Sequence, residues 1–332
     1  MAGAIAGTAL VNYAPKATDK LSTITLTINN ICNLSCPHCY LQYKQEKKRY
    51  IDSEVINAVS DTKFNHLVVV GKEPFVNEQS ISILSKIVVS NSQQGKSVGV
   101  ITNGVGLDHV NSELTSNLAY IDVSFDGGEK TYSLYRKSDF KNVIRNINNI
   151  QANQRTIFNA LHVVNDYTIR NIDDMVDVVK FADFKNIMFS PYIETQNDGS
   201  NFVEKLKLKS ILEAFADNVK FMNTKEAFIL LDIYHLLGDL DVNKKFDENE
   251  SIFSIKKMLN DLGLIEKVKL IEKDPIHHGF LRVTYDGYLL SPYDSLNPMY
   301  YKNKGVKIGE TSIENYFNFL YENQVNFPFH AN

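Results

Sequence analysis

The three cysteines of this 332-residue chain, Cys32, Cys36 and Cys39, fall within the segment Ile31-Cys32-Asn33-Leu34-Ser35-Cys36-Pro37-His38-Cys39-Tyr40. An odd number of thiols so close together is no disulfide framework. Soft thiolate donors at this spacing suit a metal or an iron-sulfur cluster. A [4Fe-4S] cube normally takes one thiolate per iron, so three thiolates leave one iron free for chemistry. The competing reading is a structural zinc site, in which His66 or His162 would close a tetrahedron. Against zinc, His38 adjoins Cys39, adjacent residues rarely both reach one tetrahedral ion, and the usual second pair of ligands is missing.

The elements that must position these thiols follow from the hydrophobic pattern. From about Ile24 to Ser190 short β-like runs alternate with helical patterns, the signature of βα units and a parallel sheet. The expected strands are Ile24–Asn29, His66–Val70, Ser97–Ile101, Ala119–Phe125, Ile157–Val164 and Asn186–Ser190. Phe140, Val143, Ile144, Ile147 and Ile150 mark one intervening helix; Ile172, Met175, Val176 and Val179 mark another. Six such units with right-handed crossovers roll into an open barrel whose function sits at the strands' C-terminal ends, where the cysteines lie.

The fold class expected is therefore α/β, a partial (β/α)6 TIM-like barrel over residues 21–192. An N-terminal extension (1–20) precedes it and a C-terminal helical and α+β region (193–332) covers the substrate. In that last region, helices are expected over Phe202–Phe221 and Lys225–Leu237, then a solvated loop over Gly238–Ser251. A hairpin of Gly279–Thr284 and Tyr288–Leu290 turns at Tyr285-Asp286-Gly287.

The Cys-x3-Cys-x2-Cys spacing after a first strand resembles the radical S-adenosylmethionine (SAM) superfamily, whose motif carries an aromatic residue at the position of His38. The resemblance covers the barrel region. It implies one [4Fe-4S] cluster on Cys32, Cys36 and Cys39, with SAM chelating the open iron and being cleaved to a 5′-deoxyadenosyl radical. It also implies an electron donor such as flavodoxin or ferredoxin. Val70-Gly71-Lys72-Glu73-Pro74 resembles the family's Gly-Gly-Glu-Pro element, in which a Glu holds the SAM amino group; Lys72 replaces its second Gly. Thr102-Asn103 and Ser124-Phe125-Asp126 resemble elements at the third and fourth strand ends, and Arg136 resembles a recurrent Arg that pairs with the SAM carboxylate. His38, Tyr40, Asn159 and Tyr192 complete the SAM contacts so implied, while His162 reads as a hydrogen-bonded core histidine. Alone, Asn-Gly and Asp-Gly are ordinary turn formers.

The hairpin, and Gly305–Ser312 after it, resemble the SPASM or twitch region of that superfamily, where the hairpin would cover the barrel mouth. Cysteines bind auxiliary clusters there; here His277, His278, Ser291, Tyr293 and Asp294 occupy the region, and no cysteine follows Cys39. The first substrate class implied is a ribosomally made peptide. The alternatives are a sugar or amino alcohol for a dehydratase, dehydrogenase or epimerase, or a zinc-stabilised binding protein without catalysis. With 35 basic against 39 acidic side chains, no broad basic surface suits nucleic acid. No apolar run suits a membrane and Met1–Leu10 does not read as a secretion signal, so a cytoplasmic location is expected.

Overall fold

The computed structural model describes residues 20–36, 39, 47, 49–153, 156–165, 168–191, 212–214, 216, 227–232, 248–266, 268–271, 276, 279–291, 301–303 and 305–323. The expected six strands are there: β1 (Thr23–Thr27), β2 (His66–Val70), β3 (Ser97–Thr102), β4 (Tyr120–Ser124), β5 (Ile157–Val164) and β6 (Asn186–Pro191). Each pairs in parallel with the next. Both β1 and β2 are buried at all five positions, as parallel strands covered on both faces must be.

Helices α1 (Ser53–Asp61), α2 (Glu78–Gln93), α3 (Ser112–Ser116), α4 (Tyr132–Arg136), α5 (Phe140–Gln151) and α6 (Ile172–Val176) fill the crossovers. The α5 stripe of Phe140, Val143, Ile144, Ile147 and Ile150 is buried as its spacing predicts.

Beyond β6 the structure departs from expectation. Ala227–Asp232, inside the stretch expected to be helical, is strand β7, parallel to β6, and β8 (Val268–Ile271) follows it. Ala227-Phe228-Ile229-Leu230-Leu231 is one continuous apolar run, and such a run fits a buried strand as well as a helix. The free edge of β6 decides between them. Residues 248–251, expected in a solvated loop, begin helix α7 (Glu248–Asp261). Of the expected helix Phe202–Phe221, residues 212–214 and 216 are helical and the rest lies outside the described residues.

The hairpin forms as expected from β9 (Phe280–Val283) and β10 (Tyr288–Leu290), with Gly287 at φ +82° in the turn. Its strands lie beside β1, within the sheet. Strand β9 pairs in parallel with β1, because the open edge of β1 offers a row of unpaired backbone groups. Strand β11 (Val306–Lys307) and helix α8 (Ile313–Glu322) complete one sheet in the order β11-β10-β9-β1-β2-β3-β4-β5-β6-β7-β8.

One face of the sheet carries the helices; the other is a polar concave interior. Asn159 on β5 donates to Asp122 on β4 at 2.7 Å and accepts from Asn186 on β6 at 2.8 Å, forming a middle layer. Below it Tyr120 reaches across β3 to bond His66 at 2.9 Å. This is possible because Gly99 lies between them: a Cβ there would meet the Tyr120 ring at 2.1 Å. We expect Gly99→Ala to lower unfolding stability by about 1–3 kcal/mol through overpacking, read in urea melts; its added cost should persist in a Tyr120→Phe background and shrink in a Tyr120→Ala background, where the ring it presses on is gone.

Candidate active site

The cysteines leave β1 at its C-terminal end. Asn29 and Asn30, which precede them, anchor the loop. The Asn29 amide donates to Glu73 O (2.9 Å) and Ser80 Oγ (2.6 Å), and its Oδ1 accepts from the Ile31 N–H at 3.1 Å. The Asn30 amide donates to Lys47 O at 2.9 Å and to the Tyr285 hydroxyl of the hairpin at 3.5 Å. Sequence reasoning did not select these two asparagines. Their signal was two consecutive amide side chains at the end of a strand, directly before a cysteine loop.

The Gly71-Lys72-Glu73 turn shows why one glycine is retained and the other dispensable. A Cβ on Gly71 would press on Asn29 Oδ1 at 2.9 Å, whereas Lys72 is not among the positive-φ residues, so a side chain costs nothing there. Pro74 is buried in the same turn. The fully buried Glu73 carboxylate ties this turn to the next strand end. It accepts from Phe75 N–H (2.9 Å), Thr102 Oγ1 (2.6 Å) and Asn103 N–H (2.7 Å). Burial pushes its pKa up, and those donors together with the Arg136 cation oppose the rise.

At the end of β4, Asp126 takes up a left-handed backbone at φ 55° and forms a buried ion pair with Arg136. Its other oxygen accepts from the Val163 N–H at 2.6 Å. Arg136 is buried and closes α4. Burial lowers its pKa less than Asp126, Cys36 and Tyr132 raise it, so it is a fixed cation. Ser124 is half-buried at the same rim, its register partner being Leu161. Asn159 lies deeper, in the middle layer already described, with both ends of its amide engaged. His38, Tyr40, Tyr192, His277, His278, Tyr293 and Asp294 lie outside the described residues; Ser291 is buried next to β10.

None of the three thiols is in a disulfide, and all are part-exposed. Burial, and next the Glu73 carboxylate, push the Cys32 thiol up to about 12; burial likewise raises Cys36, against the pull of Arg136. Among the described residues no three His, Cys, Asp or Glu side chains surround a point that a single ion could fill. His66 bonds Tyr120, and His162 faces aromatic rings, so neither closes a zinc site. The donor set fits an iron-sulfur cluster: soft thiols on one short loop, with two N–H groups already aimed at the Cys32 sulfur.

His162 differs from expectation. It stacks on Phe189 at 5.2 Å and neighbours Phe125 at 6.1 Å, on the helix-facing side of β5, and neither ring nitrogen has a hydrogen-bond partner among the described residues. A β-strand alternates its faces, so His162 cannot share the polar interior with Asn159 and Leu161. Burial lowers its pKa from 6.5 to about 4, with Asp126 and Asp174 opposing and Arg136 reinforcing; His66 is lowered to about 4 in the same way. The unfolded chain takes up these protons near 6.5, the folded chain only near 4. Stability is therefore complete above pH 6.5 and falls as pH drops towards 4, by about 1.4 kcal/mol per unit for each histidine. In His162→Phe the slope should halve, and stability at pH 7.5 should hold or rise by about 1 kcal/mol, since an unsatisfied polar ring is removed; chemical denaturation across pH 4.5–7.5 reads both.

A parallel sheet with helices on one face and its polar and thiol groups gathered at the strands' C-terminal ends defines a TIM-like partial-barrel enzyme. More particularly, residues 26–179 match the radical SAM superfamily, so the chain carries a radical SAM domain. A "Probable GTP 3',8-cyclase" of Methanocaldococcus jannaschii is 25% identical over 282 residues, 81% of this chain and 84% of that protein. A serine-type anaerobic sulfatase-maturating enzyme of Bacteroides thetaiotaomicron is 25% identical over 202 residues, 55% of this chain and 48% of that protein. SuiB of Streptococcus suis, solved with S-adenosylmethionine bound, matches in fold. Its TM-score is 0.62 at 11% identity, covering 93% of this chain and 68% of SuiB. The protein is a radical SAM enzyme, with SAM and a [4Fe-4S] cluster as its cofactors. Among the described residues, no helix is long and apolar enough to cross a membrane.

Proposed function

We propose that Cys32, Cys36 and Cys39 each hold one iron of the cluster, and that SAM lies across the ends of β1 to β6. The observation that carries this is the convergence of Cys32, Glu73 and Asn103, from three different strand ends, through hydrogen bonds of 2.7 Å (Asn103 N to Glu73) and 3.7 Å (Asn103 Nδ2 to Cys32 Sγ). Bound there, cluster and SAM supply the hydrogen-abstracting 5′-deoxyadenosyl radical, and the chain binds, orients and shields. Glu73, held by three donors, presents a carboxylate to the SAM amino group; Gly71, Lys72 and Pro74 shape the turn that carries it. The Arg136 cation answers the SAM carboxylate while Asp126 fixes its position. Thr102 orients Glu73, and Ser124 offers a hydroxyl to the ribose. His38, Tyr40 and Tyr192 border the nucleotide. Asn159 acts from below, as part of the interior layer.

The substrate proposed is a ribosomally made peptide, with a flavodoxin or ferredoxin as electron donor. Two similarities support it: SuiB, alike in fold over 93% of this chain, has also been solved bound to its precursor peptide SuiA, and one relative is named a sulfatase-maturating enzyme. A small polar substrate is the second reading, favoured by the Asp122–Asn159–Asn186 layer and by the relative named as a GTP cyclase. Anaerobic protein loaded with iron and sulfide, then reduced with SAM present, should release 5′-deoxyadenosine. No release, or a single zinc on the thiols, would overturn the assignment. Deuterium carried into 5′-deoxyadenosine from a deuterated peptide, and not from a deuterated sugar or nucleotide, decides between the substrates.

A further inference from the structure

Two N–H groups point at one cysteine sulfur. The Leu34 backbone N–H donates to Cys32 Sγ at 3.3 Å, and Asn103 Nδ2 donates to the same atom at 3.7 Å and to Asn33 Oδ1 at 2.8 Å. Asn103 belongs to the end of β3, so its aim is set by that strand. Glu73 holds its backbone N–H at 2.7 Å, and its own Oδ1 accepts from the Val105 N–H at 2.9 Å. That last bond fixes which way the amide faces, because a flipped amide would set N–H against N–H at Val105 and a carbonyl oxygen against both Asn33 Oδ1 and the sulfur. Both amide hydrogens are thus committed to Asn33 and Cys32, and neither is left for the nucleotide.

We propose that Asn103 is a positioning residue of the cluster: acting through the Cys32 sulfur, it raises the cluster's reduction potential. This rests on the assignment of Cys32 as an iron ligand. A hydrogen bond to a ligand sulfur draws electron density from it, so the state with one more electron is favoured. The amide is carried by the same carboxylate, Glu73, that is assigned to SAM, so nucleotide contact and cluster potential are linked through one buried side chain.

The test is an EPR-monitored redox titration of the loaded enzyme without SAM, using mediators and dithionite. Asn103→Leu, of similar volume but with no donor, should keep its iron and sulfide. Its midpoint should move negative by an amount equal to roughly tenfold in the reduction equilibrium, about 59 mV for one electron. Asn103→Asp should move further in the same direction, since it places a carboxylate beside the thiolate. A wild-type midpoint in a fully loaded Asn103→Leu overturns the proposal. Should that variant take up no cluster, pulsed EPR of the reduced wild type decides. With asparagine labelled at its side-chain 15N, a nitrogen hyperfine coupling to the cluster is expected, and its absence overturns the proposal. Failure of the functional assignment looks different: the wild type itself would then hold no cubane iron.

Discussion

Cys36→Ala is expected to abolish cluster loading and reduce 5′-deoxyadenosine formation to that of a protein-free control. The chain has three cysteines and no spare, so an iron that loses its thiolate finds no replacement. The loss should be of chemistry and not of fold. Cys36 is part-exposed and lies outside the buried hydrophobic core, so far-UV circular dichroism and the unfolding midpoint of the unloaded protein should stay close to wild type. Iron and sulfide analysis with product chromatography checks the expectation; full turnover in the variant would dismiss Cys36 as a ligand.

The second large effect is one of stability. Arg136→Leu leaves the Asp126 carboxylate buried without its counter-ion, and removing one member of a buried pair costs about 3–5 kcal/mol. Asp126 cannot easily turn towards water, since its Oδ1 is held by the Val163 N–H and its backbone is left-handed. The double variant Asp126→Asn/Arg136→Leu should recover most of the loss, because no buried charge then remains unpaired. Urea unfolding of Arg136→Leu, Asp126→Asn and the double variant reads the coupling. Additive losses would mean that the pair is not a unit.

Much of this architecture was legible in the chain because parallel strands are written as apolar runs at regular intervals, and β1 to β6 were all placed from them. What the pattern lacked was information about pairing over long distances. The parallel partnership of Thr23 with Phe280 leaves no local trace, so the hairpin was expected over the mouth and not beside β1. Ala227–Asp232 failed for a different reason: its apolar run satisfies both a helical and a buried-strand reading, and only the vacant edge of β6 selects one.

In the site, residue types gave the thiols, Glu73 and Arg136. The directions of side chains, which decide function at ångström scale, had to come from the fold. Asn103 was legible as a site residue, but nothing in Thr102-Asn103-Gly104 says that its amide faces sulfur. For His162 the pattern predicts a hydrogen-bonded core histidine, because periodicity gives its burial but not its partners.

The pairing of β9 with β1 also bears on when the enzyme can be made ready. Asn30, next to the cysteine loop, and Tyr285, in the hairpin, stand 255 positions apart, yet they meet through a hydrogen bond. During synthesis the thiols leave the ribosome long before the strand that seals their flank exists. A nascent chain halted ahead of residue 280 should present its cysteines to alkylating reagents, and iron delivery should become productive only after release of the later segment.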